Sequence, residues 1–169
     1  MPNPAELASR AERAANQLRD WLIEGPAQQA DGGVAGVVDA SGGCRYVYGE
    51  ITGYYLHWLA QARSVDPQRR RERAARALTW VEAHYHQALA PTRLTRDSGN
   101  DDWRNAAQFL FDLAMLAGGL AQATRAGLIA PDAYRMGALA NAFYHFLVAG
   151  QLRSCLSLRP ERAPLPRWS

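Results

Sequence analysis

Glu50 and Asp112 are the two carboxyl groups of this 169-residue chain that stand where chemistry could be done. Glu50 falls at the expected start of one apolar helix and Asp112 two turns into another. A carboxyl held away from water can carry a proton at near-neutral pH, and a second one beside it can take up a proton or anchor a hydroxyl. Aromatic residues gather around the first: Tyr46, Tyr48, Tyr54, Tyr55 and Trp58 share the stretch from Tyr46 to Ala62 with His57. Trp103 precedes the second by nine positions. Aromatic faces can cover the apolar side of a ring whose hydroxyls keep their hydrogen bonds.

Each of these residues also has a structural reading. Glu50 is a first-turn acid of the kind a helix dipole favours. Asp112, if buried, must be paired or neutralised by a neighbouring backbone, arginine or tyrosine. Tyr54, Tyr55 and Trp58 read as core, and His57 reads either as acid or base or as a satisfied interior histidine. Tyr48 and Trp103 are the stronger platforms because they fall in connections. Gln108 interrupts an apolar run close to Asp112 and is a candidate ligand contact. His84 and His86 are two positions apart, so on a helix they point to different sides and make no metal site. The pattern calls for no metal and no cofactor.

The elements that must position these groups read as five helices. Leu7, Ala11, Ala14, Leu18 and Leu22 recur at helical spacing from Pro4 to Glu24, leaving one wet face. A glycine-rich connection follows, with Asp31-Gly32-Gly33 and Ser41-Gly42-Gly43, and a short hairpin is expected around Val34 to Val38 and Tyr46 to Val47. Glycines at that density allow tight turns or close backbone approach. The second helix is expected over Glu50 to Ser64, burying Ile51, Tyr54, Tyr55, Trp58, Leu59 and Ala62. The third starts at the turn Val65-Asp66-Pro67, with Ala74, Leu78, Val81 and Tyr85 as its apolar stripe. A polar connection from Ala90 to Trp103 leads to a fourth helix, Arg104 to Arg125. It is apolar around nearly its whole circumference, and its Gly118-Gly119 permits close helix approach. The fifth is expected from Asp132 to Leu156, with Met136, Ala140, Phe143, Leu147 and Gln151 on one stripe. The domain thus covers 1–158, and 159–169, with three prolines, is an extended tail.

Connections alternate long and short, so both long ones meet at one end, beside the amino termini of helices two and four. Helix amino termini offer N–H groups and partial positive charge. Composition is that of a globular domain at 48% hydrophobic residues. All 19 basic residues are arginine, set against 16 acids for a net charge of +3. Their densest run, Arg69-Arg70-Arg71-Glu72-Arg73, spreads around a helix, which argues against a nucleic-acid interface. The amino terminus shows no apolar leader, and no stretch approaches the roughly 20 apolar residues that span a bilayer. Cys44 and Cys155, 111 positions apart, read as a reduced pair. A cytoplasmic protein with neither membrane nor nucleic acid as partner is the expectation.

Three motifs carry a resemblance: the Asp31-Gly32-Gly33 loop, the segment Tyr48-Gly49-Glu50-Ile51-Thr52-Gly53-Tyr54 entering an inner helix, and Phe111-Asp112-Leu113-Ala114-Met115-Leu116-Ala117-Gly118-Gly119-Leu120 in the next. Over residues 10 to 125 this order resembles the six-hairpin glycosidase-like (α/α) toroid proteins, linked to polysaccharide metabolism. In uncharacterised members a Tyr-Pro-Glu-Ile/Val-Thr-Gly-Tyr segment is similar to Tyr48 to Tyr54, with Gly49 standing where proline is usual. The resemblance implies an all-α fold of antiparallel helical hairpins, a partial (α/α) toroid with five of about twelve helices. It implies carbohydrate handling, hydrolase-like or glycan-binding, with Glu50 and Asp112 as catalytic carboxylates and an oligosaccharide or polysaccharide as ligand. Tyr48, Tyr54, His57, Trp103 and Gln108 would contact that ligand. Glycosidic hydrolysis uses two carboxyls about 5 to 9.5 Å apart. The other reading is a non-enzymatic helical module. Its unfinished flanks would pair with a second copy or with another chain that completes the ring.

Overall fold

The computed structural model describes residues 3–85, 90–97, 99, 102–148 and 151–159; the expected tail, apart from Arg159, lies outside them. The chain is not all-α. The described residues form five helices and seven short strands, and the strands form one three-stranded and two two-stranded antiparallel sheets. The all-α toroid expectation is corrected accordingly, because segments that read as connections or helix ends pair with one another across the chain.

Helix α1 (Pro4–Glu24) has the predicted span. The Asn3 side chain accepts the Ala5 N–H at 3.0 Å, and Pro4 stands in the first turn, where its missing N–H costs nothing. Of its residues only Ile23 is buried, so the helix touches the rest of the fold at its last turn. There the Tyr55 hydroxyl donates to the Leu22 carbonyl at 3.0 Å.

Strands β1 (Ala35–Val38) and β2 (Cys44–Tyr48) form the expected hairpin. Its turn is tied by the Asp39 carboxylate, which accepts from the Ser41 and Gly43 N–H groups, and Gly42 takes a φ of +84°. The Asp31-Gly32-Gly33 motif serves packing. Gly32 has a φ of +97° and lies against the Arg76 backbone, and a Cβ on Gly33 would stand 2.6 Å from the Trp80 indole nitrogen.

Helix α2 (Gly49–Gln61) follows β2 with no intervening loop. Thr52, fully buried, locks that junction: its hydroxyl donates to the Tyr48 carbonyl at 2.9 Å and accepts the Val34 N–H at 3.2 Å. The buried face is Gly49, Thr52, Gly53, Tyr55, Leu56 and Leu59. Tyr54 is 44% exposed, which corrects its placement in the core. Helix α3 (Pro67–Tyr85) buries Ala74, Ala77, Trp80, Val81 and Tyr85, close to the predicted stripe.

The connection before the fourth helix is more structured than its composition suggests. Strand β3 (Arg93–Thr95) pairs antiparallel with β2, placing Arg93 opposite Tyr48 and Thr95 opposite Tyr46. A 3-10 turn (Trp103–Ala106) capped by the Asp102 side chain then leads into β4 (Ala107–Phe109). Helix α4 (Leu110–Arg125) therefore starts six residues later than expected. The apolar run from Ala106 hid the strand, because a short apolar stretch suits a buried strand as well as a helix.

Helix α5 is Ala133–Tyr144, and within the stretch expected as the end of the fifth helix lie β5 (Leu147–Val148), β6 (Gln151–Leu152) and the start of β7 (Cys155–Ser157); residues 149–150 and the Met136 side chain are outside the described part. Strand β7 pairs with β4, Phe109 opposite Cys155. The predicted stripe shifts as well: Leu139, Ala142 and Phe146 are buried, whereas Leu147 is 51% exposed. Leu56, Leu59, Leu113, Leu116 and Leu120 form the centre of the core where α2 meets α4. Each such side chain contributes about 1.5–3 kcal/mol on burial.

Candidate functional site

The two strand-to-helix junctions lie at one end of the molecule. Tyr48 caps α2 and Phe109 caps α4, both extended and neither with a side chain that could bond the free N–H groups. Partner carbonyls take the first of these groups: Gly49 N–H donates to Thr92 at 2.7 Å and Leu110 N–H to Ser154 at 3.0 Å. The helices then run side by side in the same direction. Gly53 meets the backbone of Met115 and Leu116, and Gly119 meets the Gly53 carbonyl. Glu50 and Asp112 thus each fall in the first turn of a helix whose amino terminus faces the same mouth.

Asp112 is the unusual group. It is 3% exposed, and its Oδ2 is buried with no hydrogen-bond partner. Burial pushes its carboxyl up to about 6; the nearby Thr92 and Tyr48 hydroxyls act in the opposite direction, and the Glu50 charge adds a small further rise. The Thr92 hydroxyl is itself buried and makes no aligned hydrogen bond, so it moderates the carboxyl without satisfying it. Tyr48 is raised above the ordinary phenol range, first by burial and then by the Asp112 and Glu50 charges. Tyr85 is raised in the same way, with burial first and then Asp112 and Tyr48. A Cβ on Gly49 would stand 2.7 Å from the Tyr85 hydroxyl. The missing side chain at position 49 is what lets this phenol reach the carboxyl's surroundings.

A second layer flanks this group. Alternation along β2 puts Tyr46 and Tyr48 on one face, their rings edge to face at 6.1 Å. The Arg93 guanidinium lies 4.0 Å from the Tyr46 ring centroid and donates to Asp102 Oδ2 at 3.1 Å. Arg104 grips the same carboxylate, its Nε 2.9 and 3.0 Å from the two oxygens. The Arg104 bonds, first among several causes, hold Asp102 well below the usual carboxylate range.

Of the residues singled out from the sequence, the structure brings Tyr48, Glu50 and Asp112 together. Tyr54 points outward on α2, and the His57 ring pairs with the Gln61 amide at 2.6 Å on the exposed side. Trp103 packs on Phe109 with ring centroids 5.8 Å apart. Gln108 is fully buried, and its amide donates to the Ala90 carbonyl at 3.0 Å, so it ties β4 to the segment after α3. Thr92, Arg93, Asp102 and Arg104 had no role in the sequence reading, and Tyr85 entered it only as core. Among the described residues no group of three or more His, Cys, Asp or Glu could hold a metal ion, and no helix is long and apolar enough to cross a membrane.

No protein-family model, no curated protein and no solved structure matches this chain. What the arrangement can do chemically is therefore read from the side chains. A carboxyl that titrates near 6, with a free oxygen and a second carboxylate close by, can donate a proton at mildly acid to neutral pH and recover it from a neighbour.

Proposed function

We propose that the mouth at the start of α2 and α4 handles carbohydrate, hydrolase-like or as a binding site, with Asp112 as the proton-carrying carboxyl and Glu50 as the second. The observation that carries this reading is the buried Asp112 carboxyl, raised to about 6 with an unpartnered Oδ2, beside Glu50. The likeness of Tyr48 to Tyr54 to the corresponding segment of six-hairpin glycosidase-like proteins is what points to sugars as the ligand. In hydrolysis Asp112 protonates the oxygen of the departing sugar, while Glu50 takes the proton of the attacking water or anchors a hydroxyl. Tyr48, half-buried between them, supplies an aromatic edge and a phenol that stays protonated. Two free cysteines support a reducing, cytoplasmic setting. The test is oligosaccharide binding and release of reducing ends by Asp112→Asn and Glu50→Gln. Unchanged binding and turnover in both would end the proposal.

A second reading, a module that associates with another copy, has its own observation. Helix α4 leaves a stripe of Phe111, Ala114 and Gly118 exposed, with Phe111 57% accessible, although the sequence predicts a helix buried on all sides. An apolar face of that kind is commonly covered by a partner. Light scattering after size exclusion decides it: a dimer that Phe111→Ser converts to monomer supports this reading, and a concentration-independent monomer removes it.

A further inference from the structure

We propose that α1 is a self-pairing helix: two copies of the chain join through an antiparallel pair of their first helices, along a seam of Leu7, Ala11, Ala14, Leu18 and Trp21. This pairing is independent of the reading of the mouth at α2 and α4, and it uses a different face from the Phe111 stripe of α4. The five residues are spaced alternately four and three apart, the period that keeps one stripe facing a partner helix. All five are exposed, Leu7, Leu18 and Trp21 by 47%, 57% and 42%. The seam is not turned to the rest of the fold. Ile23, the one buried residue of α1, is two positions beyond Trp21, about 200° around the axis, so the fold holds the opposite side of the helix.

The seam complements itself, which makes a second copy its occupant. With α1 laid antiparallel on its own sequence about a two-fold at Gln17, Trp21 faces the partner's Ala11, Leu18 faces the partner's Ala14 and Leu7 faces the partner's Gly25. Every bulky side chain meets a small one, the alternation that lets two layers interdigitate. The flanks agree: the same register brings Arg10 alongside the partner's Glu24 at both ends. Glu24 is exposed although it also pairs with Arg69 and Arg73 of its own chain at 3.5 and 3.7 Å, so it can take a further cation. Sliding by one heptad sets Ala11 against Ala14 and Arg10 beside Gln17, and a parallel pair sets Arg10 beside Ala15. Both lose the charge pair, which fixes the antiparallel register. The paired stretch, residues 7–25, is about 27 Å of helix, at the small end of specific interfaces, so the pair dissociates on the order of 10 µM. At about 1 µM the chain is monomeric by mass action, and melting at that dilution reads the single fold.

The experiment is sedimentation velocity of the whole chain from about 1 to about 200 µM. The expected result is a passage from monomer to dimer mass with a midpoint at about 10 µM. Leu18→Glu, which puts a charge into two layers of the seam, should raise that midpoint about tenfold or more. Arg10→Glu, which creates two like-charge pairs, should raise it about threefold or more, and adding Glu24→Arg to the same chain should return it to within about twofold of the starting value. Phe111→Ser should leave it unchanged. Circular dichroism of each variant checks that these exposed positions have not disturbed the fold. A monomer at every concentration overturns the pairing. A dimer that Leu18→Glu leaves intact, or that Phe111→Ser abolishes, places the contact elsewhere and overturns it as well. A dimer that Leu18→Glu breaks but the charge reversals do not affect overturns the antiparallel register.

Discussion

Gly53 of α2 and Gly119 of α4 meet backbone to backbone: a Cβ on Gly119 would lie 2.2 Å from the Gly53 carbonyl oxygen. This contact draws the two helices together and so sets Glu50 and Asp112 at one mouth. Overpacking of this kind costs about 1–3 kcal/mol. Gly119→Ala and Gly53→Ala should each lower stability by at least that much in urea unfolding. Gly118→Ala is the control. A Cβ there meets nothing within 4 Å, and alanine is the better helix former by up to about 1 kcal/mol, so this variant should be neutral or stabilised.

The raised Asp112 carboxyl has a defined pH signature. Between its unfolded value of 3.8 and about 6 the folded chain holds the proton more tightly than the unfolded one. Stability from this group is therefore fully present below pH 4 and is lost as pH rises through 6. The loss is on the order of 3 kcal/mol. The difference between wild type and Asp112→Asn isolates it from Asp102 and Asp39, whose lowered values act in the opposite sense. Relative to wild type, the asparagine variant should gain stability as pH rises from 4 to 7, measured by denaturant unfolding at each pH.

Because only Ile23 of α1 is buried, the first five turns of that helix contribute little to the core. A chain lacking residues 1–20 keeps Ile23 and the hydrogen bond from Tyr55 to the Leu22 carbonyl. It should melt within about 4 °C of the full chain, corresponding to less than about 1 kcal/mol. A large drop in melting temperature would show that the exposed apolar residues Leu7, Leu18 and Trp21 are covered in solution, and would favour the association reading.

Much of the helical part of this fold is legible in the residues. Asn3 and Pro4 announce α1, Pro67 starts α3, and the periodicity of Ala74, Val81 and Tyr85 places its inner face. The strands are less legible because each is two to five residues long and exists through a distant partner. Arg93–Thr95 is a strand because β2 lies beside it, and Cys155–Ser157 because β4 does. On α2 the expected Tyr55 and Leu59 are buried and Ile51, Trp58 and Ala62 pack against the core, and only Tyr54 departs from the expected face. Gly49, Thr52 and Gly53, which hydrophobicity does not score, share the buried face with Tyr55, Leu56 and Leu59, and this leaves Tyr54 outward.

The candidate site divides along the same line. Tyr48 and Glu50 were visible at the beginning of one apolar helix and Asp112 within another, whose start at Leu110 puts it in the first turn. Arg93, Asp102 and Arg104 were not, because their association needs the β2–β3 register and the cap on the 3-10 turn. Gly150, a poor helix former within the expected fifth helix, was the local signal that this helix ends early.

The Glu50 charge raises Asp112, though less than burial does. Glu50→Gln should therefore lower the Asp112 midpoint by less than about one unit, or about 1.4 kcal/mol. An unchanged midpoint would separate the two carboxyls and remove Glu50 from the site.

The most direct measurement is a carbon-detected NMR titration of the Asp112 side-chain carboxyl, run with and without saturating oligosaccharide. The account predicts a midpoint near 6 in the free chain and a shifted midpoint when the sugar occupies the mouth. A midpoint near the ordinary 3.8, or one that no oligosaccharide moves, would contradict it.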